Sequence, residues 1–298
     1  MLSILIPTYN YNITRLVNEL HRQALNTYVD FEILVMEDGS TLFLEENKAV
    51  ADLAFCNYTV LTGNIGRSAI RNRLADEARY EHLVFLDCDG EIIMPHFIEK
   101  YVSFCKENTV VVGGTAYDPE NRDPRYSLRL KYGRLREAKS AMEREKEGIY
   151  SHFSAFNFLI SKKIFNQIRF DESIQGYGHE DTLFGHRIAE LKCNVHHIDN
   201  PLLHSGLDDN ESFIRKTEES TRNLYLLYKT GNYPILENQS KLLFTFNRFK
   251  RKNFTHALAA AFTTLRPVLM SNLTSSNPSL RFYDLYKLLF HAKISRSK

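Results

Sequence analysis

Through its first 115 residues the chain alternates short β-rich runs with stretches of helical spacing, and this limits the fold more than any other feature. The spacing predicts strands over Leu2–Ile6, Phe31–Met36, Tyr58–Leu61, His82–Leu86 and Thr109–Val112. Helices are expected between them, over Ile13–Leu25, Leu42–Phe55, Arg67–Arg79 and Pro95–Lys106. Parallel strands need a crossover long enough to return to the same sheet edge, and a helix provides it. The expected class is therefore α/β, a mainly parallel central sheet flanked by helices. Ligands of such sheets bind beyond the carboxyl ends of the strands, so residues leaving those ends are the first candidates for a site.

The alternation stops after residue 115. Residues 116–150 are polar and charged and read as a long loop of the lid or partner-binding kind. Order returns at Phe153–Ile160, followed by helices at Lys162–Ile168 and Glu180–Leu191 and a strand at Asn194–Ile198. Beyond residue 210 the pattern is helical only, so two regions are expected, 1–210 and a helical extension, 211–298. Charge divides the chain in the same way. Residues 241–298 hold eleven Lys/Arg against the single acid Asp284, whereas the first 240 hold 27 against 35 Asp/Glu. An acidic body with a basic tail argues against a nucleic-acid binder. The tail's Phe and Leu residues recur at helical spacing, as on a packing or membrane-surface face rather than a stacking platform.

Cys56, Cys88, Cys105 and Cys193 include no CxxC pair, which points away from a zinc ribbon or a disulfide framework and toward a reducing cytoplasm. The N-terminus reads as a strand rather than a signal peptide, and no apolar run reaches spanning length.

At the strand ends, Glu37-Asp38-Gly39-Ser40 follows the second strand. A carboxylate there accepts hydrogen bonds from a nucleobase or ribose; an ordinary Asp-Gly turn explains the same residues. Asn64-Ile-Gly66 opens a helix carrying Arg67 and Arg71, an arrangement suited to a diphosphate or simply a capped surface helix. The hydrophobic strand His82–Leu86 runs into Asp87-Cys88-Asp89-Gly90. Acids leaving a buried strand are costly without a partner, and oxygen ligands of this kind favour a hard divalent cation that keeps substrate phosphates in its shell. His204, followed by Ser205-Gly206, offers a nitrogen to the same cation. Cys193, His196 and His197 match no standard zinc spacing. Glu180-Asp181 opens a helix after Gly176-Tyr177-Gly178-His179, where the acids serve as helix caps or as a carboxylate base facing a sugar.

Taken in order, these segments resemble glycosyltransferase family 2 on the GT-A fold, a Rossmann-like sheet. The series is Pro7-Thr8-Tyr9-Asn10, Glu37-Asp38-Gly39-Ser40, Asn64-Ile-Gly66 with Arg71-Asn72, Asp87-Cys88-Asp89, Gly176-Tyr-Gly-His-Glu-Asp181, and His204. The Gly176–Asp181 stretch is also similar to a galactosyltransferase-like Gly-Trp-Gly-x-Glu-Asp region, with Tyr177 in the tryptophan's place. The chain has no tryptophan, so it lacks the Gln-x-x-Arg-Trp motif of processive synthases.

The resemblance implies an inverting, metal-dependent transfer of a hexose or N-acetylhexosamine from a nucleotide-diphosphate donor, with UDP expected. The acceptor would be a glycan or lipid-linked hydroxyl, in surface polysaccharide or glycolipid synthesis. It implies nucleotide or donor binding by Pro7, Thr8, Tyr9, Asn10, Glu37, Asp38, Asn64, Gly66, Arg67, Arg71, Asp87 and Cys88. Thr8 and Asp38 would meet the nucleoside, Arg71 the base and diphosphate, and Asp87 the ribose. Asp89 and His204 would hold Mn²⁺ or Mg²⁺, and Asp181 would be the base. Asn157, Tyr177, Gly178, His179 and Glu180 would line the acceptor and donor-sugar side. A non-catalytic nucleotide-sugar or glycan-binding protein on the same fold is the alternative. The expected location is cytoplasmic. The tail's basic face would either rest on anionic lipid at the inner face of the membrane or pack on the body.

Overall fold

The computed structural model describes residues 1–174, 176–231, 233, 236–237 and 240–296. The chain packs as two units. The first takes in Met1–Asp118, Arg136–Ile174 and Glu180–Gly206; the second combines Pro119–Leu135, the 176–179 segment and the chain from Leu207 onward.

In the first unit the strands are β1 (Leu2–Thr8), β2 (Phe31–Glu37), β3 (Cys56–Val60), β4 (His82–Leu86), β5 (Gly90–Ile92), β6 (Thr109–Val112), β7 (Thr115–Ala116), β8 (Asn157–Ser161), β9 (Asn194–His197) and β10 (Leu202–His204). Its first helices are α1 (Thr14–Leu25), α2 (Leu44–Lys48), α3 (Arg67–Glu77) and α4 (Phe97–Val102); the next in the chain, α5 (Ser127–Arg136), lies almost wholly in the second unit. After them come α6 (Ala141–Glu147), α7 (Lys162–Ile168) and α8 (Glu180–Glu190).

Seven strands form the main sheet in the order β3-β2-β1-β4-β8-β6-β9. The pairs β1/β2, β1/β4 and β2/β3 are parallel, and only β8 runs against its neighbours. The mainly parallel α/β class expected from the sequence is the class observed. Side chains alternate across the sheet with the strand period of two. Leu2, Ile4 and Ile6 enter one core layer with Val17 and Leu20 of α1 and Phe97 and Tyr101 of α4. Leu5, Leu34 and Phe85 enter the other with Ile70 and Leu74 of α3 and Phe184 of α8. Burial on both faces explains why these strands read as unbroken apolar runs.

A second, three-stranded sheet has the order β5-β10-β7. β10 runs antiparallel to β5, with His204 opposite Gly90, and parallel to β7, with Leu203 opposite Ala116. His204 is thereby flanked by the residues next to Gly90 on one side and to Ala116 on the other.

The expectation of a long loop over 116–150 is corrected. That stretch holds a 3-10 turn at Pro124–Tyr126 and the helices α5 and α6. α6 carries a full capping box, Ser140 with Glu143, and buries Arg144, whose guanidinium donates to the carbonyls of Val112, Gly113 and Ile198. Helical apolar periodicity is sparse here because α6 packs through an arginine rather than an aliphatic stripe.

The second unit is helical among its described residues: α5, α9 (Asn210–Thr230), α10 (Lys241–Arg251), α11 (Thr255–Leu273) and α12 (Leu280–Ile294). Its core joins Leu128 of α5 to Phe213 and Ile214 of α9, Phe262 and Leu269 of α11, and Tyr283, Tyr286 and Phe290 of α12. Side-chain oxygens of Asp209, Ser240 and Ser279 accept the first free amides of α9, α10 and α12, and Gly231 ends α9 in a left-handed conformation. On α10, Leu243, Phe246 and Asn247 are buried while Phe244 is exposed beside Lys241, Arg248 and Arg251. No helix among the described residues is long and apolar enough to cross a membrane.

Candidate active site

The carboxyl ends of β1, β2 and β4 each release a segment that the sequence singled out, and the structure shows what each side chain does. At the end of β2, Glu37 is completely buried. Its carboxylate accepts from Ser40 Oγ at 2.5 Å, Asn47 Nδ2 at 2.8 Å and the Tyr58 hydroxyl at 3.1 Å. Glu37 thus fastens the loop after β2 and offers no surface to a ligand, which corrects its expected donor-binding role. Ser40 Oγ in turn accepts from the Asn10 amide at 2.9 Å, and Asn10 Oδ1 accepts from the amides of Thr41 and Leu42. The loops after β1 and β2 are therefore tied into one surface.

Asp38 accepts from the amides of Ile65 at 2.6 Å and Gly66 at 3.1 Å, just before α3. Its charge lies at the positive end of the helix, where a carboxylate is stabilised. Two backbone amides of the Asn64–Gly66 segment are thereby already engaged. Gly39 has φ +70°, and a Cβ there would lie 2.5 Å from the Asn64 amide, so only glycine lets these loops touch. Asn64 and Arg67 remain exposed at the rim, and so does Tyr9. Thr8 is buried, with its hydroxyl turned back on the Ile6 carbonyl and its own carbonyl held by the Asp38 amide. A side-chain contact from Thr8 to a nucleoside does not fit that placement.

At the end of β4, Asp87 is ion-paired with Arg71, which is only 3% exposed and also donates to the Arg67 carbonyl at 3.1 Å. The Phe170 ring lies 5.5 Å from the guanidinium carbon. Burial pulls the Arg71 guanidinium down, but the charges of Asp87 and Asp181 outweigh it and hold the group up, so it stays charged. Arg71 accordingly sets the local field from beneath and does not itself reach the surface. Cys88 packs against the first core layer, and burial beside Asp89 pushes its thiol up, so it stays neutral.

Asp89 and His204 meet where β5 pairs with β10. The His204 Nε2 stands 3.1 Å from Asp89 Oδ2, and the Asp89 carbonyl accepts from Ser205 N at 3.0 Å and Ser205 Oγ at 2.9 Å. Gly206 is required by close approach, since a Cβ there would lie 2.5 Å from the Asp89 Cβ. On its other side His204 Nδ1 is 3.2 Å from the Tyr117 hydroxyl, which donates to Glu137. One carboxylate oxygen and one imidazole nitrogen suit a divalent cation that takes its other ligands from diphosphate and water. Among the described residues no third His, Cys, Asp or Glu completes an all-protein cage.

Asp181 opens α8 and is partly exposed, accepting from the Ala155 amide at 3.1 Å. Packing around the carboxyl and the neighbouring Glu180 push its pKa up to about 7, against the lowering pull of Arg71. Glu180 itself is buried, 4.0 Å from Arg67. The first unit thus gathers Arg71, Asp87, Glu180 and Asp181 into one electrostatic cluster. Asn157 is not on this surface. It is 1% exposed, accepts from the Tyr101 hydroxyl at 2.5 Å and donates to the carbonyls of Gly114 and Asn200, which corrects its expected sugar-side role. Tyr177, Gly178 and His179 belong to the second unit. There the Tyr177 amide donates to Glu219 at 2.9 Å, its ring lies 5.5 Å from the Lys216 ammonium, and His179 Nε2 is 3.1 Å from Ser220 Oγ. Sequence reading missed Tyr117 and Glu137, which carry no local motif; the register of β7 on β10 brings Tyr117 to His204, and Glu137 accepts from the Tyr117 hydroxyl.

This sheet, with acidic groups gathered at its carboxyl edge, is the GT-A fold of glycosyltransferases. The sequence pattern of Glycosyl transferase family 2 matches residues 3–169, more than half of the chain, and the chain belongs to that family. Uncharacterized glycosyltransferases of Rickettsia conorii and Rickettsia felis are 29% and 28% identical over 125 and 124 residues, 42% of this chain. The match spans 20% of the length of each of these relatives. Among solved structures, the Pyrobaculum calidifontis mannosyltransferase PcManGT, in complex with GDP-Man and Mn²⁺, superposes with a TM-score of 0.60 at 16% identity. That superposition covers 99% of this chain and 86% of PcManGT. Residues 1–349 of TarS from S. aureus, in complex with UDP-GlcNAc, give 0.51 at 18% identity, covering 99% and 91%.

Proposed function

We propose that the protein is an inverting glycosyltransferase that moves a hexose or N-acetylhexosamine from a nucleoside-diphosphate donor to a hydroxyl of a glycan or lipid-linked acceptor. The observation that carries the reading is the convergence of Asp89 Oδ2 and His204 Nε2, 3.1 Å apart, at the carboxyl edge of the strands. Two such donors facing each other suit a cation that also binds a diphosphate. PcManGT in complex with GDP-Man and Mn²⁺, and TarS in complex with UDP-GlcNAc, support the donor class.

In this reading Asp89 and His204 hold Mn²⁺ or Mg²⁺, and the bound cation supplies neutralisation of the departing diphosphate's charge. Asp181, with its raised proton affinity, takes the proton from the acceptor hydroxyl. The acceptor oxygen bonds to the anomeric carbon from the face opposite the diphosphate, the carbon–oxygen bond to the diphosphate breaks, and the nucleoside diphosphate departs. One displacement inverts the configuration, so an α-linked donor yields a β-glycoside. Exposed Tyr9, Asn64 and Arg67 are the rim residues placed to meet the nucleotide.

The second unit extends the reading to the inner face of a membrane and to surface polysaccharide or glycolipid synthesis. Lys241, Phe244, Arg248 and Arg251 recur at helical spacing on the exposed side of α10, followed by exposed Lys252 and Phe254. Cations with interleaved aromatics suit anionic lipid near a lipid-linked acceptor; of the tail's basic residues, Lys298 lies outside the described residues.

A panel of UDP- and GDP-sugars with Mn²⁺ tests the reading, scored first by thermal shift and then by release of nucleoside diphosphate. A donor that both stabilises the protein and is turned over supports transfer. Stabilisation without release, with or without an acceptor, would indicate a binding protein, and no response to any donor would overturn the donor site. Flotation with vesicles containing anionic lipid, set against zwitterionic vesicles, tests the α10 face. Lipid association that Arg248→Glu with Arg251→Glu leaves unchanged would sink that part.

A further inference from the structure

We infer that Tyr117 and Glu137 are positioning residues that decide which ring nitrogen of His204 keeps its lone pair for a cation held beside Asp89. The inference rests on the reading of Asp89 and His204 as cation ligands and goes beyond it to residues that no motif marks. A carboxylate only accepts, and a phenol has a single proton to give. The Tyr117 hydroxyl gives that proton to Glu137. Its oxygen then accepts from His204, whose Nδ1 is 3.2 Å away, so the imidazole proton is held on Nδ1. With a cation held between the two groups the lone pair is left on Nε2 to bind it; with no cation there, Asp89 Oδ2, 3.1 Å away, accepts the proton from Nε2 instead. Two electron-rich atoms are thereby turned toward one point, which is the arrangement a divalent cation requires.

The backbone and the neighbouring rings hold this orientation. The pairing of Leu203 with Ala116 sets Tyr117 beside His204, while the pairing of His204 with Gly90 sets Asp89 on the other side. The imidazole is also bounded by two rings, Phe156 at 5.1 Å and Tyr117 at 5.7 Å between centroids. All five residues lie in the first unit. The arrangement is a chain of fixed polarity, from Glu137 through Tyr117 to His204, and the polarity can be reversed by one isosteric change. In Glu137→Gln the amide can donate to the Tyr117 oxygen. The phenol proton then turns to Nδ1, and the imidazole proton is driven to Nε2, where it blocks ligation. Tyr117→Phe only releases the ring to choose either tautomer.

Two measurements test the inference on the full chain. Long-range ¹H–¹⁵N correlation spectra, recorded with Mg²⁺ and UDP or GDP, read the His204 tautomer directly and need no variant. Mn²⁺ titration by electron paramagnetic resonance, with the same nucleotides present, compares wild type with Tyr117→Phe, Glu137→Gln and Asp89→Ala. The expected result is a protonated Nδ1 in wild type, with Mn²⁺ affinity lowered roughly 10- to 100-fold by Glu137→Gln and less by Tyr117→Phe. A wild-type spectrum with the proton on Nε2, or wild-type Mn²⁺ affinity in Glu137→Gln, overturns the inference. If Asp89→Ala also binds Mn²⁺ as wild type does, the cation reading itself fails; if only Asp89→Ala loses affinity, the Tyr117–Glu137 role alone is refuted.

Discussion

Arg71 lies beneath the carboxyl edge of the sheet with its guanidinium ion-paired to Asp87, and the arginine is buried while the aspartate keeps part of its surface in water. This pair links α3 to the end of β4 and brings a fixed positive charge close to Asp181. The charge is therefore a structural element of the site as well as an electrostatic one.

Removing its partner is expected to cost stability first. Asp87→Ala leaves a buried cation uncompensated, which for a fully buried pair is worth roughly 3–5 kcal/mol. Asp87 is 23% exposed at its side chain, so a smaller loss of about 2 kcal/mol is expected. Urea denaturation midpoints of the two proteins measure it, and an unchanged midpoint would show that water already compensates Arg71.

Asp181 gives two predictions of opposite sense. As the base it must be ionised, so kcat/KM should rise with pH along an acid limb near 7. Asp181→Asn should abolish transfer while nucleotide and Mn²⁺ binding stay close to wild type, and retained transfer would remove the base assignment. For stability the sign reverses. Its folded pKa lies above the ordinary value of 3.8, so the contribution is fully present below about pH 4 and is lost as pH rises through about 7. At pH 8 the Asn variant should be the more stable protein, as read by its melting temperature.

His291 predicts acid sensitivity of the helical unit. It is completely buried against Phe246 and Tyr225, neither ring nitrogen has a hydrogen-bond partner among the described residues, and burial lowers its pKa to about 4. Its ordinary value is 6.5, so stability is intact above that pH and falls as pH drops from 6.5 toward 4. The loss amounts to at most about 3 kcal/mol. His291→Phe should flatten the dependence between pH 7.5 and pH 5 in denaturant titrations; an identical slope would mean another group titrates there.

Gly39 tests the loop surface. Alanine at this left-handed position, with its Cβ driven toward the Asn64 amide, should cost about 2 kcal/mol and loosen the Asp38 anchor at α3. Donor affinity should fall along with the melting temperature. Wild-type affinity in a destabilised protein would show that the 64–66 loop does not touch the nucleotide.

The sequence by itself determined the class of fold, the strands that build its centre and the acidic segments at their ends. Apolar runs such as His82–Leu86 must be buried on both faces, and Asp87-Cys88-Asp89 must then emerge where the sheet stops. It also marked His204 and Asp181, because each follows or opens an element at the carboxyl edge. What it did not determine was the partner of each polar group. Thr8, Glu37 and Asn157 sit in the same segments as exposed neighbours, yet packing turned all three inward, where hydrogen bonds within the protein hold them. Tyr117 and Glu137 show the converse. They lie in a charged stretch without periodicity; Tyr117, 87 residues from His204, meets it because β7 pairs with β10, and Glu137 is joined to it through the Tyr117 hydroxyl. Spacing along the chain reports which side chains share a face. A hydrogen bond between distant segments depends on strand register, and that is settled only when the sheets assemble.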